Sequence, residues 1–338
     1  MTGFPSMTPR PPQGKRRLPA RSGAFTLLEM MVAMTVLVII LVMTLTLVGQ
    51  VSGVWKRSSG KIDAFQGARI AFDLIVRNLS QATLNTYLGY DNDTTPRYYL
   101  RKSDLRFLCG PAGTSGLPGT GGTGSAIFFE APLGYTATSG QYGGMDSLLN
   151  TVGYYVSFID GPRPLHVRSA TPFRYRLMQL LVPVESNTIF TNATNLRWFS
   201  DFTASATPIA DNVVALLIRP QDPAAVPPDL APAAYAYDSY DPADASPGGT
   251  TDTQRLASAQ LPPVLQVTLV AIEEASALRL ERGDAPPSAI VAALSGKFAA
   301  PARYADDLAA LSAAFDEANI RYRIFSGTVP LLEAKWTK

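Results

Sequence analysis

One cysteine, Cys109, and one histidine, His166, are all that 338 residues supply of the side chains that most often build metal centres and nucleophilic dyads. A single cysteine excludes an internal disulfide, and a single histidine excludes zinc sites built on two or three. Net charge is equally scarce. Lys and Arg total 29 against 27 Asp and Glu, leaving +2, and part of that sits at the N-terminus. Such a balance lacks the basic surface that nucleic acid requires. Acidic residues are missing before Glu29, and proline is missing between Phe25 and Pro96. The second absence removes the residue that most often breaks a helix.

What fills the proline-free stretch is apolar. Ala24-Phe25-Thr26-Leu27-Leu28-Glu29 leads into 26 uncharged residues, Met30 to Trp55. As a helix these would extend roughly 39 Å at 1.5 Å per residue, against roughly 30 Å of bilayer hydrocarbon. The run is a membrane span, too long for the core of a cleavable secretory signal. Arg10, Lys15, Arg16, Arg17 and Arg21 precede it. Basic flanks stay cytoplasmic, so residues beyond about Lys56 face the periplasm or exterior. The residues after Arg16-Arg17 do not fit a twin-arginine signal. Glu29 lies about one turn inside the span. A carboxylate there costs on the order of 2.5–3.5 kcal/mol and normally has a partner.

These residues resemble the processing site of type IV prepilins and pseudopilins, in which a short basic leader ends in Gly and Phe-Thr-Leu-x-Glu follows. Here Ala24 holds the last leader position and Gly23 the one before it. The resemblance implies cleavage before Phe25 by a prepilin peptidase on the cytoplasmic side, then N-methylation of Phe25. It further implies that Glu29 pairs, during assembly, with the new ammonium of a neighbouring pilin-like subunit, which would set one axial stagger between helices. The competing description is a plain signal anchor, with the remainder a membrane-anchored periplasmic binding or hydrolytic domain. Replacing Glu29 separates the two.

Along the chain, 1–24 reads as a cytoplasmic leader, 25–55 as the transmembrane helix and 56–88 as its amphipathic continuation. Residues 89–338 form a periplasmic head, with 220–263 a Pro-rich loop holding nine prolines. Gly49 and Gly53 either soften the helix, mark the membrane exit or form a small-xxx-small contact. Ile62, Phe65, Phe72, Val76 and Leu79 recur at helical spacing among Arg69, Asp73, Arg77 and Gln81, giving one apolar stripe for a sheet to cover. Strands are expected at 104–109, 126–131, 152–159, 173–182, 212–219, 264–273 and 320–326. Helices are expected at 304–319 and 288–298. Gly113–Ser125, with six glycines and no Gly-Lys-Ser/Thr ending, reads as a flexible connection. The expected fold is α+β and pilin-like: a long N-terminal transmembrane and amphipathic helix packed on an antiparallel β-sheet head with long loops.

The head carries its own likenesses. Arg69 to Ala82, Val152-Gly-Tyr-Tyr-Val-Ser-Phe158 with Leu165-His-Val-Arg168, and Leu261-Pro-Pro-Val-Leu-Gln-Val-Thr-Leu269 resemble J-type minor pseudopilins of type II secretion and W-type minor pilins. Leu79 to Tyr87, Leu261 to Glu274 and Phe325 to Trp336 are similar to the Verru_Chthon cassette protein C family, a likeness covering nearly the whole chain. Both imply a structural subunit of a type II secretion or type IV pilus-like fibre. Its partners would be prepilin peptidase, other subunits of the fibre and an inner-membrane assembly platform. It would sit single-pass in the bacterial inner membrane, then in a periplasmic or surface fibre.

Chemistry of its own is not expected, nor a cofactor or resident metal. Cys109 reads as a small core residue and His166 as a strand residue. Glu273 and Glu274 occupy consecutive positions and would point to opposite faces of a strand. Asp91-Asn92-Asp93 and Asp238, Asp241 and Asp244 supply oxygen ligands without the spacing of a calcium loop, and read as turns. Tyr235, Tyr237 and Tyr240 are either a contact patch or pins holding the Pro-rich loop to its own head.

Overall fold

The computed structural model describes residues 26–90, 94–95, 99–114, 116–138, 142, 145, 147–161, 172–224, 228–230, 235–240, 258–281 and 283–334, without the side chains of 48–64. Two compact units divide the chain, Met1–Ser58 and Ser59–Lys338. One helix, α1 (Leu27–Leu79), contributes to both.

In the second unit the strands are β1 (Tyr87–Tyr90), β2 (Tyr99–Lys102), β3 (Leu108–Pro111), β4 (Ser125–Pro132), β5 (Leu149–Ile159), β6 (Arg174–Val182), β7 (Thr207–Asp211), β8 (Val213–Gln221), β9 (Tyr237–Asp238), β10 (Val264–Ile272) and β11 (Tyr322–Pro330). They form a six-stranded antiparallel sheet ordered β7-β6-β5-β4-β3-β9, a three-stranded antiparallel sheet ordered β11-β10-β8, and the separate hairpin β1-β2. The class is α+β, consistent with a pilin-like fold.

Both faces of the six-stranded sheet are covered. Ile127 and Phe129 of β4, Val152, Tyr154 and Val156 of β5 and Leu177 of β6 enter one core with β8, β10 and the α1 stripe. Phe128, Tyr155, Met178 and Leu180, one residue out of phase, enter a second core with Trp198 and Phe199. Alternate side chains leave opposite faces of a strand, so two cores yield the near-continuous apolar runs seen in these strands. The second core is lidded by the short helices Ile189–Asn192 and Arg197–Ser200. Phe128 stacks on Phe199 with ring centroids 3.9 Å apart. That ring lies over Gly153, where a Cβ would come within 2.2 Å of it.

The buried stripe of α1 differs from the one expected. Ala68, Ala71, Ile75 and Leu79 are buried, whereas Phe65, Phe72 and Val76 pack along its border. Alanines let the helix axis approach the sheets closely, and Phe72 then reaches Phe325 of β11 at 6.1 Å. Asn78 donates from Nδ2 to Tyr154 Oη at 2.6 Å, tying the helix to β5. The helix ends at Leu79, not at 88. Ala82 N–H bonds the Leu79 carbonyl in a tight final turn, and Thr83 N–H is then captured by the Glu130 carbonyl at 2.9 Å. Asn85 Oδ1 accepts from Asp104 N–H and Leu105 N–H, which bends 104–107 out of the expected strand. The closing helix stops at Glu317 and the one before it at Leu294.

The Gly-rich connection after β3 is hydrogen-bonded to its surroundings. Thr120 N–H donates to the Val156 carbonyl at 3.0 Å, and Thr120 Oγ1 accepts from Phe158 N–H at 2.8 Å. Leu216 N–H of β8 reaches the Thr123 carbonyl at 3.0 Å. That close crossing requires Gly124. Its φ is +97°, and a Cβ there would lie 2.1 Å from the Leu216 carbonyl oxygen.

Gly124→Ala should therefore destabilise the head by about 2–4 kcal/mol and lower its melting midpoint by roughly 5–10 °C. Gly121→Ala, with nothing within 4 Å, should leave the midpoint unchanged. Calorimetry of the two variants checks the difference.

Candidate functional site

The first unit presents a lone apolar helix. Leu27–Leu47 is long and apolar enough to cross a membrane, and none of it is buried. Its 21 residues would extend roughly 32 Å at 1.5 Å per residue. The hydroxyls along it are satisfied within the helix. Thr35 donates to the Val32 carbonyl, Thr44 to Ile40 and Thr46 to Met43, each at 2.8 Å. Internal bonding of this kind makes threonine tolerable where water is absent.

Glu29 is the single charged residue of this segment. Its side chain is exposed in the first turn of α1, with no hydrogen-bond or ion-pair partner among the described residues. Its backbone N–H donates to Thr26 Oγ1 at 3.3 Å, and Met30 N–H donates to the Thr26 carbonyl at 3.2 Å. Thr26 is thus the residue that caps the helix. Its role is legible in the Thr-x-x-Glu spacing of a capping box. Gly23, Ala24 and Phe25, the expected processing residues, lie outside the described residues.

Residues 19–45 match the family model described as the prokaryotic N-terminal methylation motif. The N-terminus is of the prepilin type. This motif implies processing by prepilin peptidase, membrane anchoring and assembly with pilin-like subunits. The match ends at residue 45, so the head lies beyond it. No curated protein and no solved structure matches the chain.

Within the head, the described residues considered for chemistry are buried or paired. Cys109 is fully buried and its thiol, pushed up to about 12 by burial, stays protonated; it contacts the Tyr235 carbonyl at 3.4 Å. His166 lies outside the described residues, as do Asp91–Asp93, Asp241 and Asp244. Asp238 is held by Arg106, which donates from Nε at 2.9 Å and from Nη2 at 2.5 Å. Among the described residues no three His, Cys, Asp or Glu gather in a metal-holding group.

The tyrosines of the Pro-rich loop are pins. Tyr235 and Tyr237 are buried, and Tyr237 Oη donates to the Gln260 carbonyl at 2.9 Å. The Arg106 guanidinium lies 5.3 Å from the Tyr240 ring centroid. Glu273 and Glu274 separate as expected, though at a helix start instead of within a strand. Glu274 holds Arg174 and accepts from Asn212 Nδ2 at 2.5 Å, while Glu273 faces Arg321 at 3.6 Å. The latter pair lines an open depression of about 560 Å³ with Phe65, Asp316 and Arg323. It gathers no nucleophile beside a base.

One head residue went unnoticed in the sequence. Glu130, the fifth residue of the apolar run Ala126 to Ala131, is fully buried on the face of the second core. Its carboxyl bonds Thr151 Oγ1, its cross-strand neighbour, and accepts from Asn187 Nδ2 at 2.9 Å. No cation contributes. Burial pushes it up from 4.5 to about 7. A protonated Glu130 can donate to Thr151 Oγ1, which then donates onward to Asn187 Oδ1, 3.3 Å away. An acidic residue inside a strand apolar on both faces was the available signal.

The folded head therefore holds a proton on Glu130 that the unfolded chain releases above about 4.5. Stability should fall as pH rises from about 4.5 to about 7, by up to about 3 kcal/mol, and level off above. Glu130→Gln reproduces the protonated bonding pattern, so it should abolish this fall. Urea titrations of both proteins across pH 4.5 to 8 measure it.

Proposed function

We propose that this chain is a minor pseudopilin-like structural subunit of a type II secretion or type IV pilus-like fibre. Prepilin peptidase removes residues 1–24, Phe25 becomes the methylated first residue, and the subunit waits in the bacterial inner membrane with its head in the periplasm. Entry into the fibre then covers the apolar helix with the helices of sister subunits. The observation that carries this reading is the unburied Leu27–Leu47 helix with one carboxylate, Glu29, in its first turn. Glu29 pairs with the ammonium that cleavage creates on a neighbour, because an unpaired charge at this depth is costly and a paired one fixes the stagger.

The head serves as a binding surface toward neighbouring subunits and does no catalysis. Its single thiol is buried and protonated, and Asp211, Asp229, Asp238, Glu273 and Glu274 are engaged with arginines. The J-type, W-type and Verru_Chthon cassette likenesses of its segments support a minor subunit.

The N-terminal sequence and mass of the protein from native membranes test processing: a chain starting at Phe25 with one added methyl is expected. An intact leader would overturn the reading. Glu29→Ala should reduce co-purification with sister pilin-like subunits about a hundredfold while the melting midpoint of the head stays fixed. An anchored binding or hydrolytic domain would show no effect of that substitution.

A further inference from the structure

We infer that the free edge of β11 is a docking site for an extended segment of a neighbouring, non-identical chain, which joins the three-stranded sheet as a fourth strand. The inference deepens, and rests on, the reading of the head as a surface for other subunits. β11 stands at the end of the order β11-β10-β8, and its nine residues, Tyr322–Pro330, pair with β10 without a register shift. Glu273 N–H donates to the Arg321 carbonyl, and Leu331 N–H donates to the Pro263 carbonyl. Those two pairs fix the phase of the ladder. Arg323, Phe325, Gly327 and Val329 bond β10, while Tyr322, Ile324, Ser326 and Thr328 turn their N–H and C=O groups outward. Among the described residues no backbone bond reaches these outward groups. Pro330 shares their side, where a missing N–H costs no bond to β10.

The other edges of the two larger sheets are guarded. β7 carries Pro208 and a register shift, and β9 has two residues. β8 has outward groups engaged: Leu216 N–H reaches the Thr123 carbonyl, Ile218 N–H reaches Ser125 Oγ, and the Pro220 carbonyl accepts from Leu230 N–H. A long edge is normally blunted in such ways because it templates another strand. β11 is left open, and an extended backbone is the group that supplies alternating donors and acceptors at its spacing. Side chains narrow the occupant further. The depression of about 560 Å³ opens at the beginning of the edge, where Phe65 and Tyr322 offer an apolar lining. Arg323 beside them is exposed, its guanidinium 5.7 Å from the Phe325 ring centroid, and no carboxylate among the described residues pairs with it. A strand with an apolar residue for the depression and an acidic one opposite Arg323 therefore fits. A second copy of β11 does not. Phe65 shares the depression with Tyr322 and Arg323, and Phe72 meets Phe325 and Gly327, so α1 runs the same way as β11. Symmetric pairing of two β11 edges is antiparallel and would oppose the two α1 helices, which chains anchored from one side of one membrane cannot do.

The full chain in detergent, titrated with the blocked peptide Thr-Val-Thr-Val-Asp-Val-Thr, tests this. Binding is expected with a Kd below about 100 μM. It should slow hydrogen exchange at the amides of Tyr322, Ile324, Ser326 and Thr328, a readout that needs no variant. Thr328→Pro removes one outward N–H and leaves the β10 ladder intact, so the melting midpoint should move by less than about 3 °C. Its affinity for the peptide should fall about tenfold, whereas Thr328→Ala should stay within about twofold of the parent. The same peptide with Asn for Asp should bind the parent about threefold more weakly, and Arg323→Gln should not distinguish the two. No binding, binding without protection of those four amides, or full affinity in Thr328→Pro would overturn the docking site. Equal affinity of the parent for both peptides would overturn the acidic preference. Dimers of the parent chain that Thr328→Pro disperses would overturn the choice of a non-identical partner. An intact leader on the native protein would overturn the processing reading and leave the peptide measurements standing.

Discussion

The head depends on burying both faces of one six-stranded sheet. A sheet covered on a single face can be cut from alternating residues; this one cannot, because Phe128 and Phe129 must each find an apolar layer. One layer is supplied by the three-stranded sheet and the end of α1, the other by the short helices around Trp198 and Phe199. That requirement accounts for the alanines of α1, for Gly153 beneath the Phe128 ring and for Gly124 at the crossing with β8. Each is a small residue at a point where two layers come close.

Several polar groups that fall inside this double core are bonded to their neighbours. Arg219 is bracketed by Asp229 at 2.9 Å and by the Tyr304 ring at 4.4 Å. Arg106 is bracketed by Asp238 and Tyr240. In both cases an arginine fork meets a carboxylate and an aromatic face, which together lower the cost of removing the cation from water. Glu130 has no such cation among the described residues, and burial raises its carboxyl to about 7 instead. Arg106–Asp238 joins segments far apart in sequence and, with β9 and the buried Tyr235 and Tyr237, pins the Pro-rich connection.

Much of this was legible in the sequence, for reasons that can be named. The apolar run and Glu29 stand out because the run is long enough to cross a membrane, and a carboxylate is rare within such a run. Strands β4, β5, β6, β8, β10 and β11 were visible as apolar or alternating runs with turn residues between them. The four-residue hairpin β1-β2, the Pro-containing edge strand β7 and the two-residue β9 were not, because pairing at such lengths is decided by tertiary contacts rather than by pattern. The α1 stripe was misplaced for a related reason. Counting bulky residues selects Phe65 and Phe72, while close packing selects Ala68 and Ala71. Glu130 was missed because a single acidic residue in an apolar strand is ordinarily assumed to point outward.

The Asn78–Tyr154 bond has a mechanical consequence. Tyr154 also accepts from Gln179 Nε2 at 3.1 Å, and its strand, β5, is interior to the sheet, paired through Leu149–Tyr154 with β4 on one side and through Thr151–Ile159 with β6 on the other. A load arriving through the last turns of α1 is therefore handed to the strand least able to peel away, and must shear two ladders together before the head gives. A tether made to an edge strand would unzip one bond at a time. Here the anchor point is the middle of the weave.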